Sequence, residues 1–208
     1  MPTVTNLVCT RCTDGDHGAL QHWYNDHAQL LMASRHLRSA QLFQLQQTTA
    51  DIDYFCAYEF SGFDDFAAFD SGSVMQEVRD LSNAAAGRSS IEIVKRTQYE
   101  RLIHRRWIAE GAGLVQASLF ALQSGNLSEV TRWFNDALYA LHLKQPMQSA
   151  QVYAAATPSG FEIFVVLQAA GASPLPLDWH ASESQYAARP SIEVVWQASA
   201  ECIAQWLR

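Results

Sequence analysis

Trp23, Tyr24 and His27 sit within LQHWYNDHAQLL, residues 20–31, the stretch of this chain best suited to chemistry. If it is helical, Leu20, Trp23, His27, Leu30 and Leu31 share one stripe. An imidazole titrates near neutrality and can take a proton from carbon beside a carbonyl. A phenol next to it can donate to the enolate oxygen that develops. His27 is therefore the expected acid/base residue and Tyr24 the expected hydrogen-bond donor. The competing reading makes His27 a buried neutral imidazole tied to a backbone carbonyl, and Tyr24 plain packing.

Around this pair, Tyr54, Tyr58, Glu59 and Arg11 are the candidate substrate-binding residues. In an alternating strand Tyr54, Cys56, Tyr58 and Phe60 share one face, while Phe55, Ala57 and Glu59 share the other. The tyrosines then either line a space between sheets or pack beneath helices. Glu59 on a mostly apolar strand needs a partner or water. Arg11 and Arg38 would meet a substrate carboxylate if they point inward, the alternative being a solvated strand edge. His22 and Asp26, one turn apart, read as a solvated helix face. His17, His36 and His104 fall in loops or the linker. No three ligands stand at metal-binding spacing, so no metal is expected. Cys9-Thr-Arg-Cys12 has the spacing of a zinc half-site without a second pair, and on a strand its two thiols point to opposite faces. Four reduced cysteines are expected. No phosphate-cradling glycine loop, nucleophile elbow or dinucleotide fingerprint occurs.

The elements that must position these residues are written twice. Residues 130–141 read VTRWFNDALYAL, 110 positions after 20–31. SAQLF at 39–43 returns as SAQVY at 149–153, and SIEIV at 90–94 as SIEVV at 191–195. An offset held through a helical and then a strand-like segment marks an internal duplication. The first half, residues 1–101, reads β-α-β-β-α-β: strand from Thr5, helix to about Ser34, strands 37–46 and 52–60, helix 64–79 broken near Gly72, strand Ile91–Tyr99. Residues 102–113 form the linker. The second half, 114–208, repeats the order with a degenerate second helix surviving around Leu177–Tyr186, because Pro174 and Pro176 stand at its start. Ser199–Arg208 reads as a short C-terminal helix. The expected fold is α+β: two tandem ferredoxin-like halves packed sheet to sheet as an intramolecular barrel, with a cavity between the sheets. Trp23 and Trp133, present in both copies, are expected to be shared core packing.

Trp23-Tyr24-Asn25-Asp26-His27 early on a first helix, ahead of a strand like 37–46, resembles the signature of dimeric α+β barrel proteins, in particular their EthD-like branch. The resemblance covers the chain as two tandem copies, more strongly in the first. Members include polyketide cyclases, cofactor-free monooxygenases, isomerases, dehydratases, haem-handling enzymes and proteins without known activity. It implies a one-chain version of a barrel that two chains usually build. The second copy has Phe134 for Tyr24 and Ala137 for His27, so only the first half can supply a helix histidine.

Composition narrows the classes. Hydrophobic residues make up 49% and charged residues 17% of 208, enough to bury a core. Net charge is −7 with one short basic cluster, His104-Arg105-Arg106, which argues against nucleic acid or anionic membrane as partner. No apolar run is long enough to span a membrane and no secretory leader is read, so a cytoplasmic location is expected. The leading expectation is a cofactor-independent enzyme acting by acid/base chemistry on an aromatic or polyketide-like carbonyl compound, of cyclase, isomerase or dehydratase type. The alternatives are a non-catalytic small-molecule-binding accessory protein and a haem-binding or haem-degrading protein with His27 as axial ligand. Further association into homo-oligomers is left open.

Overall fold

The computed structural model describes residues 3–84, 91–107, 114–124, 126–170 and 190–207. The chain divides into two compact units. One comprises Met1–Leu45, Asp51–Tyr99 and Cys202–Arg208, the other Gln46–Ala50 and Glu100–Glu201.

The first unit contains β1 (Val4–Cys12), α1 (His17–Leu31), β2 (Leu37–Thr48), β3 (Tyr54–Phe60), α2 (Phe63–Asp70), α3 (Ser73–Ala84) and the start of β4 (Ile91–Arg106). Asp16 starts α1 by accepting the Ala19 N–H at 2.9 Å, which satisfies one of the orphan donors of the first turn. The expected break at Gly72 separates α2 from α3, and a Cβ there would stand 2.9 Å from the Ala68 carbonyl oxygen. Strand β3 alternates as its sequence requires. Tyr54, Cys56, Tyr58 and Phe60 face the helices and join Leu20, Tyr24, Leu31 and Phe69 in one core. Phe55 faces away and stacks on Phe43 of β2 with ring centroids 4.4 Å apart.

The second unit contains the end of β4, then β5 (Val115–Ser124), α4 (Leu127–Lys144), β6 (Met147–Thr157), β7 (Gly160–Ala169) and most of β8 (Ser191–Leu207). Asn126 caps α4 reciprocally with Glu129, the S/T/N-x-x-E pattern in the sequence. Its core gathers Phe120, Leu122, Trp133, Phe134, Leu138, Val152 and Val165. Gly160, at φ 138, closes the β6–β7 hairpin in a conformation closed to side chains with a Cβ.

Two expectations about element boundaries are corrected. Strand β4 does not stop at Tyr99, because Glu100–Arg106 pair with Ala154–Ser149 of β6 and so extend it through the start of the expected linker. The expected C-terminal helix is strand: β8 runs unbroken to Leu207. The Ala-rich segment has helical propensity, but Trp196–Ala200 pair with β5, and Ile203, Ala204 and Trp206 then pack on the first unit's core. Ladder bonds and tertiary packing outweigh a preference of a few tenths of a kcal/mol per residue, about 0.7 at most. The expected helix at 177–186 and residues 108–113 of the linker lie outside the described residues.

Pairings β1–β3, β2–β3, β4–β6, β5–β7, β5–β8 and β6–β7 are antiparallel. The strand order is β1-β3-β2-β8-β5-β7-β6-β4, a closed hydrogen-bonded series of eight strands in an α+β chain. Among the described residues, no helix is long and apolar enough to cross a membrane.

Candidate functional site

The first unit holds a cavity of about 620 Å³, within the range of ligand pockets. Its walls come from α1 and α3 on one side and β1, β3 and β4 on the other. It therefore lies on the helix side of this sheet, which corrects the expectation of a cavity between sheets. Strand register builds the floor. Asn6, Val8 and Thr10 of β1 alternate onto the lining face, and Asn6 stands opposite Tyr58, itself a lining residue. Helix α1 supplies Trp23, Tyr24, His27 and Leu31 from above.

His27 is half-buried and lines the cavity rather than being sealed in the core. Its ring stacks on the Trp23 indole at 4.4 Å, with planes 24° apart. Trp133 is fully buried in its core as expected, whereas Trp23 is half-buried: it packs against the first core and also forms part of the cavity wall. Tyr24 is buried, and its hydroxyl shares a hydrogen bond with Thr10 Oγ1 at 3.1 Å. Burial pushes the Tyr24 phenol far above its ordinary range, with the nearby Cys56 thiol adding to the effect. Tyr58 is pushed up in the same way, again chiefly by burial. Both side chains therefore stay neutral phenols across the physiological range, able to donate hydrogen bonds.

Two further features have no equivalent in the expected site. Asn6 is 3% exposed, yet its Oδ1 has no hydrogen-bond partner, and it lines the cavity. Arg79 of α3 and Arg96 of β4 also line it, and both bind the same Asp70 oxygen, at 2.9 and 3.0 Å. A polar residue at Asn6 in an otherwise apolar alternation was a readable signal. The arginine pair was not, since it depends on α3 and β4 meeting.

The remaining candidates are placed elsewhere. Tyr54 shares the buried face of β3, but its hydroxyl bonds His17 Nδ1 at 2.9 Å and Gln21 Nε2 at 3.3 Å near the start of α1, outside the cavity lining. Glu59 lies on the opposite face of β3, where its carboxylate accepts from Ser39 Oγ at 3.4 Å. Arg11 is held by Asp51 and Glu92 and does not line the cavity, although Glu92 does. His22 and Asp26 are exposed and 3.4 Å apart, a solvated face. Among the described residues no group of three His, Cys, Asp or Glu side chains is placed to hold a metal ion. Among the described residues, Cys9, Cys12, Cys56 and Cys202 form no disulfide.

About 110 positions further along the chain, the second unit places Gln116 opposite Leu167 and Phe120 opposite Ile163, and Phe120, Phe134, Ala137, Ile163 and Leu167 lie in its apolar core. Fully burying a phenylalanine stabilises by about 1.5–3 kcal/mol, so the second unit gains stability where the first keeps a cavity.

No family model matches the chain, and no curated protein matches it. Solved structures do. A candidate monooxygenase from Fusobacterium nucleatum superposes with a TM-score of 0.65 at 6% identity, covering 100% of this chain and 95% of that one. An anthrone oxidase-like protein gives 0.61 at 10% identity over 99% and 92%. A candidate chlorite dismutase gives 0.55 at 9% identity over 97% and 96%. At such identities the likeness shows the fold: an α+β architecture with a closed series of eight antiparallel strands, shared with these proteins over nearly the whole chain.

Proposed function

We propose that the chain is a cofactor-independent enzyme that removes a proton beside the carbonyl of a small aromatic or polyketide-like compound in the first unit's cavity. The observation carrying this reading is His27, stacked on Trp23 and lining a cavity of about 620 Å³ beside the neutral phenol of Tyr24. An imidazole nitrogen of His27 takes the proton from the substrate C–H. The bond's electron pair moves onto the carbonyl oxygen, and the Tyr24 hydroxyl, hydrogen-bonded to Thr10, donates to the enolate. The imidazolium then returns the proton to another atom of the substrate, which completes an isomerisation, a cyclisation or a dehydration. The asymmetry of the sequence repeats supports a tandem, EthD-like pseudo-dimer with one working cavity and one filled copy.

The test is deuterium exchange into anthrone and a cyclic diketone, followed by NMR with oxygen uptake recorded in parallel. Wild type is expected to accelerate exchange and His27→Ala to lose about 10²–10⁴ of that rate. Exchange without oxygen uptake supports isomerase or cyclase chemistry, and coupled uptake redirects the reading to oxygenation. Equal binding by both proteins without exchange would make the protein a binding module. A Soret band on haem addition that vanishes in His27→Ala would move it to haem chemistry.

A further inference from the structure

The proposed active cavity carries a pair of cations. Arg79 and Arg96 approach it from different elements, and one carboxylate, Asp70, serves both, so among the described residues neither has that carboxylate to itself. The other acid lining the cavity, Glu92, is engaged by Arg11, whose second partner, the well-exposed Asp51, lies outside the lining. The Arg79 and Arg96 side chains are 42% and 37% exposed, so each guanidinium keeps part of its surface open to an incoming anion. Arg96 also lowers the Tyr58 phenol against the stronger upward push of burial, which puts its charge near a buried floor residue.

The floor adds a second requirement. Asn6 Oδ1 is buried, unpartnered and on the lining, directly across the ladder from Tyr58. A buried carbonyl oxygen without a donor costs about 1–3 kcal/mol, so it calls for an O–H or N–H from whatever fills the cavity. Apolar side chains, among them Val8, Leu31, Phe69, Met75 and Val78, supply the rest of the wall.

Resting on the reading of this cavity as the reaction site, we infer that its substrate is a small apolar organic acid bearing a hydroxyl or amino donor, with its acid group held by Arg79 and Arg96 and its donor by Asn6. The protein's net charge of −7 would repel such an anion in general, so selection is local to these two arginines.

Calorimetric titration of a hydroxynaphthoate against its neutral carboxamide tests this, with naphthoate lacking the hydroxyl as third probe. Wild type is expected to bind the acid about tenfold more tightly than the amide, a preference that falls with added salt. Arg79→Gln with Arg96→Gln should bring the ratio to about one, and Arg79→Lys with Arg96→Lys should restore part of it. Asp70→Asn should raise the ratio by freeing both arginines. Asn6→Ala should weaken hydroxynaphthoate binding and leave naphthoate unchanged. Acid and amide bound equally by wild type would overturn the inference while leaving the cavity as the reaction site. No binding of any probe would overturn both.

Discussion

The indole of Trp23 and the imidazole of His27, one turn apart on α1, lie nearly parallel with centroids 4.4 Å apart. Stacking fixes the plane of the proposed acid/base group and turns its edge, where both nitrogens are, away from the indole face. An aromatic pair of this kind contributes about 0.5–1.5 kcal/mol beyond area burial, which in a rate corresponds to at most about tenfold. Trp23→Phe is therefore expected to keep most of the exchange rate, and Trp23→Ala to lose up to about tenfold in kcat with a smaller change in KM. If Trp23→Ala loses as much as His27→Ala, the indole is part of the chemistry and the assignment of roles is wrong.

Thr10 and Tyr24 join β1 to α1 through one buried hydrogen bond. Tyr24→Phe removes the donor to the enolate and is expected to lower kcat by roughly 10²-fold, the scale of one oxyanion donor. It also leaves the Thr10 hydroxyl without its partner, which costs about 1–3 kcal/mol. Tyr24→Phe combined with Thr10→Val should recover that stability without recovering rate. Recovery of rate in the double variant would show that Tyr24 acts through folding alone.

Alternation was enough to read most of the first unit's elements, because β3 keeps period two and Gly72 breaks the segment 64–79 into two helices. His27 and Tyr24 were singled out from the helical stripe of residues 20–31, and both line the cavity. The strand face carrying Tyr54 and Tyr58 was readable as a face, but its direction was not, since aromatic residues suit either side of a sheet. Glu59 and Arg11 lie outside the cavity lining, each engaged by a neighbour on an adjacent strand or loop, which residue type alone does not record. Arg79 and Arg96 share Asp70 only because α2, α3 and β4 converge, a juxtaposition that no local pattern records. The tail became strand against its helical composition because Ser199 and Ala200 pair with β5 and Ile203, Ala204 and Trp206 pack on the first unit's core.

Burial in the first core pushes the Cys56 thiol up from its ordinary 9.0 to about 12. Its folded value is raised, so its contribution to stability is complete below pH 9.0 and is lost as pH climbs toward about 12, while the unfolded chain ionises first. Tyr24 and Tyr58, raised by the same cause, act in the same direction at higher pH. Urea denaturation should show stability falling above the thiol's ordinary range by up to about 1.4 kcal/mol per pH unit, and Cys56→Ala should flatten the first part of that fall from a lower plateau. In native protein, Cys12 and Cys202 should react with a thiol reagent before Cys9 and Cys56, which are buried. Early labelling of Cys56 without unfolding would contradict the packing of β3 under α1.

Gln116 follows Asn6 by the same 110 positions that separate Trp133 from Trp23, but it lies in a filled core. It is 4% exposed, and neither of its amide atoms has a partner; the Trp133 Nε1 is also buried without one. In the first unit an unpartnered amide oxygen borders a cavity and can be satisfied by a ligand. In the second, the matching positions are Phe120, Phe134 and Leu167, and the same kind of group is a cost without a use. Gln116→Met, close in volume, is therefore expected to stabilise by about 1–3 kcal/mol and to raise Tm by several degrees, while Asn6→Leu should also raise Tm but abolish ligand binding. A fall in Tm for Gln116→Met would show that its amide is hydrogen-bonded in solution, and the second unit would then hold a polar site of its own.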